Sequence, residues 1–124
     1  MRRLLTLVLL AALCLVPTSG FSDGLCPGHP QPFIPYANEV LSVGGTAVPF
    51  TVATYTAGRQ APSLATVTVE SASVRAWSDG ATPTATVGQL INTNSFWVCG
   101  YTAIAGFKAI ATSGTASLTI EYSK

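Results

Sequence analysis

The end of the chain fixes its class. From Ala116 to Tyr122, Ala116, Leu118, Ile120 and Tyr122 alternate strictly with Ser117, Thr119 and Glu121. A period of two puts one set on a buried sheet face and the other in solvent. The same pattern runs through Ala65, Val67 and Val69 against Thr66, Thr68 and Glu70, and then through Val74 and Ala76 against Ser73, Arg75 and Trp77. Val48, Phe50 and Val52 alternate as well, but Pro49 among them removes a backbone donor and calls for an edge strand or a bulge. Phe96 and Val98 oppose Trp97 and Cys99, and Phe107 to Ala111 makes another short strand with Lys108 outward. Gly44-Gly45, the loop from Ala57 to Ser63 with Gly58 and Pro62, Asp79-Gly80, Asn92 to Asn94 and Thr112 to Gly114 supply the turns, and Gly88 ends the loop from Asp79 where Leu90 is expected to return to the core. The spacing predicts about seven or eight short strands and no helical stretch beyond the N-terminal segment. The expected fold is all-β: a single small antiparallel β-sandwich or jelly roll over residues 38–124.

Two segments precede that domain. Arg2 and Arg3 stand before an uncharged run of 13 residues, Leu4 to Val16, and then Pro17, Thr18, Ser19 and Gly20. A bilayer span needs roughly 20 apolar residues, so the run reads as the core of a secretory signal, residues 1–20. Thr18 and Gly20 are the small residues a signal peptidase needs, which puts the mature start near Phe21. Cys14 raises the alternative of a lipidated cysteine, although Leu13 stands where lipoprotein signals carry a small residue. Residues 21–37 form a Pro-rich arm, with Pro27, Pro30, Pro32 and Pro35 favouring extended geometry. The expected location is exported, secreted or cell-surface, with no stable membrane span.

Loss of Arg2 and Arg3 leaves four basic residues against five acids, a net charge of −1. That is too little positive charge for a chain whose work is neutralising phosphates, so nucleic acid is excluded as a main partner. Charged residues make up 9 % of the chain, against about 25 % in ordinary soluble domains. A surface built from Thr, Ser, Ala and Gly suits a subunit that covers itself in an assembly, so the expected partner is protein, either self or a larger assembly. Cys26 and Cys99 remain after the signal leaves. In an oxidising compartment they read as one disulfide, with two buried thiols as the alternative. Closing a loop of 73 residues stabilises by about 4 kcal/mol in the chain-entropy model.

Candidate chemistry is sparse. Glu70 and Asp79 are neighbouring acids, but one points outward from a strand and the other opens a turn. His29 follows Cys26 in a Cys-x-x-His pair that lacks the second half of a zinc site. Neither a Gly-x-Ser-x-Gly elbow nor a phosphate loop is present. No catalytic residue, metal ligand or cofactor is expected. Trp77, Asp79, Trp97 and Tyr101 are the candidate binding surface, a platform on which a sugar ring could stack. Trp97 and Tyr101 alternate with Cys99 on one strand face, which favours packing on the disulfide in the core, while Trp77 is open to either role.

Val67 to Leu90 contains Val74-Arg75, Asp79-Gly80, Thr82-Pro83-Thr84 and Val87-Gly88, and Gly106-Phe107-Lys108-Ala109-Ile110-Ala111 follows. This order resembles small β-sandwich proteins encoded among the virion genes of tailed bacteriophages. The likeness spans Ala65 to Tyr122. It implies a structural, non-enzymatic role as a capsid- or tail-associated accessory subunit, on the virion itself. The signal and the Cys26/Cys99 pair depart from that pattern, as an exported phage product or a bacterial surface protein sharing the module would. The alternative is a secreted or cell-surface binding module for glycan or protein.

N-terminal sequencing of the chain made in a secreting host is expected to start at or near Phe21. An intact Met1 in the exported product contradicts the signal reading.

Overall fold

The computed structural model describes Cys26 and residues 32–124; the signal segment, Cys14 and most of the arm, His29 included, lie outside the described residues. Two antiparallel sheets of four strands face each other. The first contains, in spatial order, β1 (Pro35–Val43), β8 (Ala116–Ser123), β3 (Leu64–Glu70) and β6 (Ser95–Cys99). The second contains β2 (Val48–Pro49), β7 (Lys108–Ala111), β4 (Val74–Trp77) and β5 (Gln89–Ile91). Only the β4–β5 connection stays within one sheet, so almost every turn carries the chain across the core. The result is the small all-β sandwich that the alternation predicts.

The apolar sets lie where a period of two puts them. Val67, Leu118, Ile120 and Tyr122 are fully buried from the first sheet, with Val74 and Ala109 from the second. Aromatic rings then bridge the layers. Phe50 stacks on Phe107 at 4.1 Å between centroids and meets Tyr122 edge-on at 5.7 Å. Pro49 sits in β2, a two-residue edge strand, as its missing donor requires.

Three expectations are corrected. The domain contains short helices: α1 (Val52–Tyr55), a 3-10 turn (Ala57–Arg59) and α2 (Tyr101–Gly106). At four and six residues, α1 and α2 are too short to show a helical period, which needs a window of roughly 11–18 residues. Val52 therefore starts a helix and is exposed, while Phe50 alone continues the buried set. Leu90 does not return to the core. Its register opposite Arg75 places it on the outer face of the second sheet at 50 % exposure, and Ile91, opposite Val74, is the inward residue.

The strand β1 begins at Pro35, inside the arm segment, with an irregularity between Pro35 and Ala37. Its Glu39 pairs in register with the buried Ile120 and so points toward the core rim. There its carboxylate accepts hydrogen bonds from the Tyr122 hydroxyl and from Thr51 N at 3.0 Å. The Tyr36 hydroxyl donates to Tyr55 O. These bonds tie α1 onto β1.

Burial, then the hydrogen bond to Glu39 and its charge, push the Tyr122 hydroxyl far above its ordinary value of 10.0. The folded state holds this proton more tightly than the unfolded chain does. Its contribution is therefore fully present below about pH 10 and is lost as pH rises above it. Tyr122→Phe is expected to cost about 1–2 kcal/mol at neutral pH. In urea melts across alkaline pH, the variant should also lose stability less steeply than the native chain. A parallel alkaline decline would assign that proton to another group.

Candidate functional site

The β4–β5 loop holds most of the residues that carry the phage resemblance, and it lies on the outer face of the second sheet. Arg75 points away from the core between its register partners Leu90 and Ile110. Its guanidinium donates to Ala85 O at 3.2 Å and to Gly88 O at 2.7 Å. Lys108, on the neighbouring strand, donates to Gly80 O at 2.9 Å and to Thr82 Oγ1 at 3.3 Å. Asp79 Oδ1 accepts from Ala81 N at 2.9 Å, the side-chain bond of an Asx turn. Pro83 is fully buried, and the outward Ile110 is buried as well. A loop otherwise rich in Thr and Ala is thus held on the sheet by two cations that bond backbone carbonyls.

Gly80 takes a φ of 89° and its N–H reaches Gly106 O at 3.1 Å. Gly106 is required by that approach. A Cβ there would sit 2.8 Å from Ser78 O and 2.9 Å from Gly80 N.

The disulfide joins Cys26 to Cys99 with Cα atoms 5.4 Å apart, inside the usual range. Cys99, Leu64 and Ser123 lie in one register row on the outer face of the first sheet. Leu64, Ser123 and Cys26 are all buried, so the arm is anchored over that row. Such a bridge fits an oxidising environment. Among the described residues no helix is long and apolar enough to cross a membrane, and no three His, Cys, Asp or Glu side chains converge as a metal site.

The candidate binding residues separate. Trp97 and Tyr101 are not core. Strand β6 ends at Cys99, and Gly100, at a φ of 88°, turns the chain so that Tyr101 opens α2. Trp97 is 44 % and Tyr101 49 % exposed. Tyr101 instead meets Tyr55 edge-on at 6.2 Å, joining the two helices. Trp77, 37 % exposed at the end of β4, lies with Trp97 on one open cleft of about 930 Å³. Neither Asp79 nor Tyr101 lines it.

That cleft runs between the β5 and β6 edges, with Phe96 and Phe107 in its apolar wall and Gln89 and Asn94 among its polar groups. Among the described residues no ionisable side chain lines it. Two tryptophans from different sheets, two amides and an uncharged wall can hold an apolar or hydroxylated surface, but they offer no acid or base. Sequence reasoning missed Gln89, Asn94 and Phe96 as lining residues. Their only signal was proximity to two strand edges, which a register-free reading does not locate. Comparison with protein-family models, curated proteins and solved structures finds no match.

The contacts of the loop set an order of stability effects. Gly106→Ala is expected to be the most damaging, because its Cβ meets backbone. Gly80→Val is next, at about 1–2 kcal/mol, from positive φ alone. Asp79→Asn should cost under about 0.5 kcal/mol, since Asn makes the same turn. Thermal melts with and without calcium check this. A large calcium stabilisation lost in Asp79→Asn would make the loop an ion site instead.

Proposed function

We propose that the protein is a non-enzymatic structural or assembly module, exported and working as a virion-associated accessory subunit of phage type. One observation carries the reading. Arg75, Asp79-Gly80, Pro83, Gly88, Gly106 and Lys108, the elements of the resemblance, all serve to hold one loop against the second sheet. Those elements are scaffold, and a common scaffold is what a phage-type particle subunit would carry. The low charge and the exposed Ile34, Val40 and Val87 support a surface meant to be covered.

A second reading has its own support. Trp77 and Trp97 stand half-exposed at one uncharged cleft, an arrangement that suits a neutral sugar in a secreted or cell-surface glycan-binding module.

Mass spectrometry of particles purified from the producing culture tests the first reading. The chain, starting near Phe21, is expected to band with capsid or tail proteins, and its gene to lie among theirs. Recovery only as free protein, together with retention on a neutral polysaccharide column that Trp77→Ala abolishes, would replace that role with the second.

A further inference from the structure

The four strand edges of the sandwich are unequal. A free edge invites pairing with another chain unless it is short, charged, kinked, carries proline or is covered. β1 has Pro35, an irregular register, the inward Glu39 and α1 against it. β2 has two residues, one of them Pro49, and β5 has three. β6 has five residues, Ser-Phe-Trp-Val-Cys, with no proline, charge or register break. It alone lacks every one of these protections among the described residues.

Its hydrogen-bond phase shows what it presents. Asn94 O accepts from Val69 N, and Gly100 N donates to Ser63 O, at 2.9 and 2.8 Å. In the uniform antiparallel register between these two bonds, Phe96 and Val98 must exchange bonds with Val67 and Ala65. Ser95, Trp97 and Cys99 therefore direct their N–H and C=O groups away from β3. Asn94 Oδ1 takes the Ser95 N–H at 2.8 Å. The N–H and C=O of Trp97 and Cys99 have no partner among the described residues.

We infer that β6 pairs antiparallel with β6 of a second copy, joining two first sheets into one across a two-fold axis at Trp97. This register is self-complementary. Trp97 exchanges both bonds with Trp97 of the second copy, and Ser95 lies opposite Cys99, so every open group but the capped Ser95 N–H and the Cys99 C=O opposite it finds a partner. The two indoles fall directly opposite one another on the outer face, a favourable cross-strand aromatic pair. Among the described residues no ionisable group lines the adjoining cleft, so none of them sets like charges against each other there. A closed two-fold contact of this kind is the commonest way for a subunit to begin an assembly.

Sedimentation equilibrium of the exported, disulfide-bonded chain at micromolar concentration tests the pairing, with an expected mass twice that of the monomer. Trp97→Pro removes the indole and an N–H that the fold does not use, so it should give a folded monomer. Trp97→Thr keeps that N–H and should remain a dimer, though a weaker one. If Trp97→Pro fails to fold, Trp97→Lys decides, because two like charges meet at the dyad and the dimer is lost. A native chain that stays monomeric, a Pro or Lys variant that stays dimeric, or a Thr variant as monomeric as these overturns the inference. So does a monomer whose cleft binds neutral polysaccharide through Trp77. The inference rests on the assembly reading for its purpose only. A monomer recovered with particles would defeat the pairing and leave that reading standing.

Discussion

Phe50 stacked on Phe107 is the contact around which the two sheets close. Phe50 follows the shortest strand and Phe107 precedes β7, so both sit where the chain enters or leaves the second sheet. Their rings lie 4.1 Å apart and nearly parallel, with Tyr122 of the first sheet edge-on to Phe50. Tyr122 continues the series to Tyr55 at 5.9 Å, and Phe107 to Phe96 at 6.1 Å. Rings from both sheets and from α1 thus form one connected cluster through a core whose other members are mostly Val and Ala. Small residues keep the layers close, and the aromatics supply the area and the specific geometry that small residues lack.

Closing a sandwich leaves the outer faces to be managed, and the two sheets do so differently. The second sheet carries Ile110 and Leu90 outward, and its loop covers Ile110 by way of Arg75 and Lys108. The first sheet carries Thr66, Thr68, Thr119 and Ser117 outward, which water solvates directly, except at the row where Cys26 is anchored. In this chain of few charges, Arg75, Lys108 and Glu39 all bind backbone groups of other segments. They set where the loop and α1 lie.

What was legible in the sequence follows from this division of labour. Alternation showed β3, β4 and β8 because one face of each is buried along its length. The Asp79-Gly80 turn and the Cys26–Cys99 bridge were legible because turn chemistry and cysteine pairing act locally or by elimination. Trp97 and Tyr101 were misplaced because Gly100 breaks the strand between them, and one glycine does not announce a change of direction. Leu90 was misplaced because a three-residue strand has too few positions to reveal its phase, so its face is set by pairing with Arg75. The roles of Arg75 and Glu39 were invisible for a different reason: each acts on carbonyls or amides at least ten residues away.

The phage-type role proposed above rests on elements whose physical content limits what it says about any site. Each element it rests on lies in a strand, a turn or a pinned loop, and of these only Phe107 and the neighbourhood of Trp77 reach the cleft. Function is carried by particular surfaces grafted on a fold, not by the fold. The close packing of the loop, in which Gly106 must be bare so that Gly80 can reach it, constrains the second sheet's outer face and leaves the β5–β6 side free of such demands. It is on that free side that the chain places both of its tryptophans and, among the described residues, no charge and the one unguarded edge. Leaving Trp77 and Trp97 exposed, while Phe50, Tyr55, Phe107 and Tyr122 are buried, costs apolar burial. A partner seated on that side recovers it.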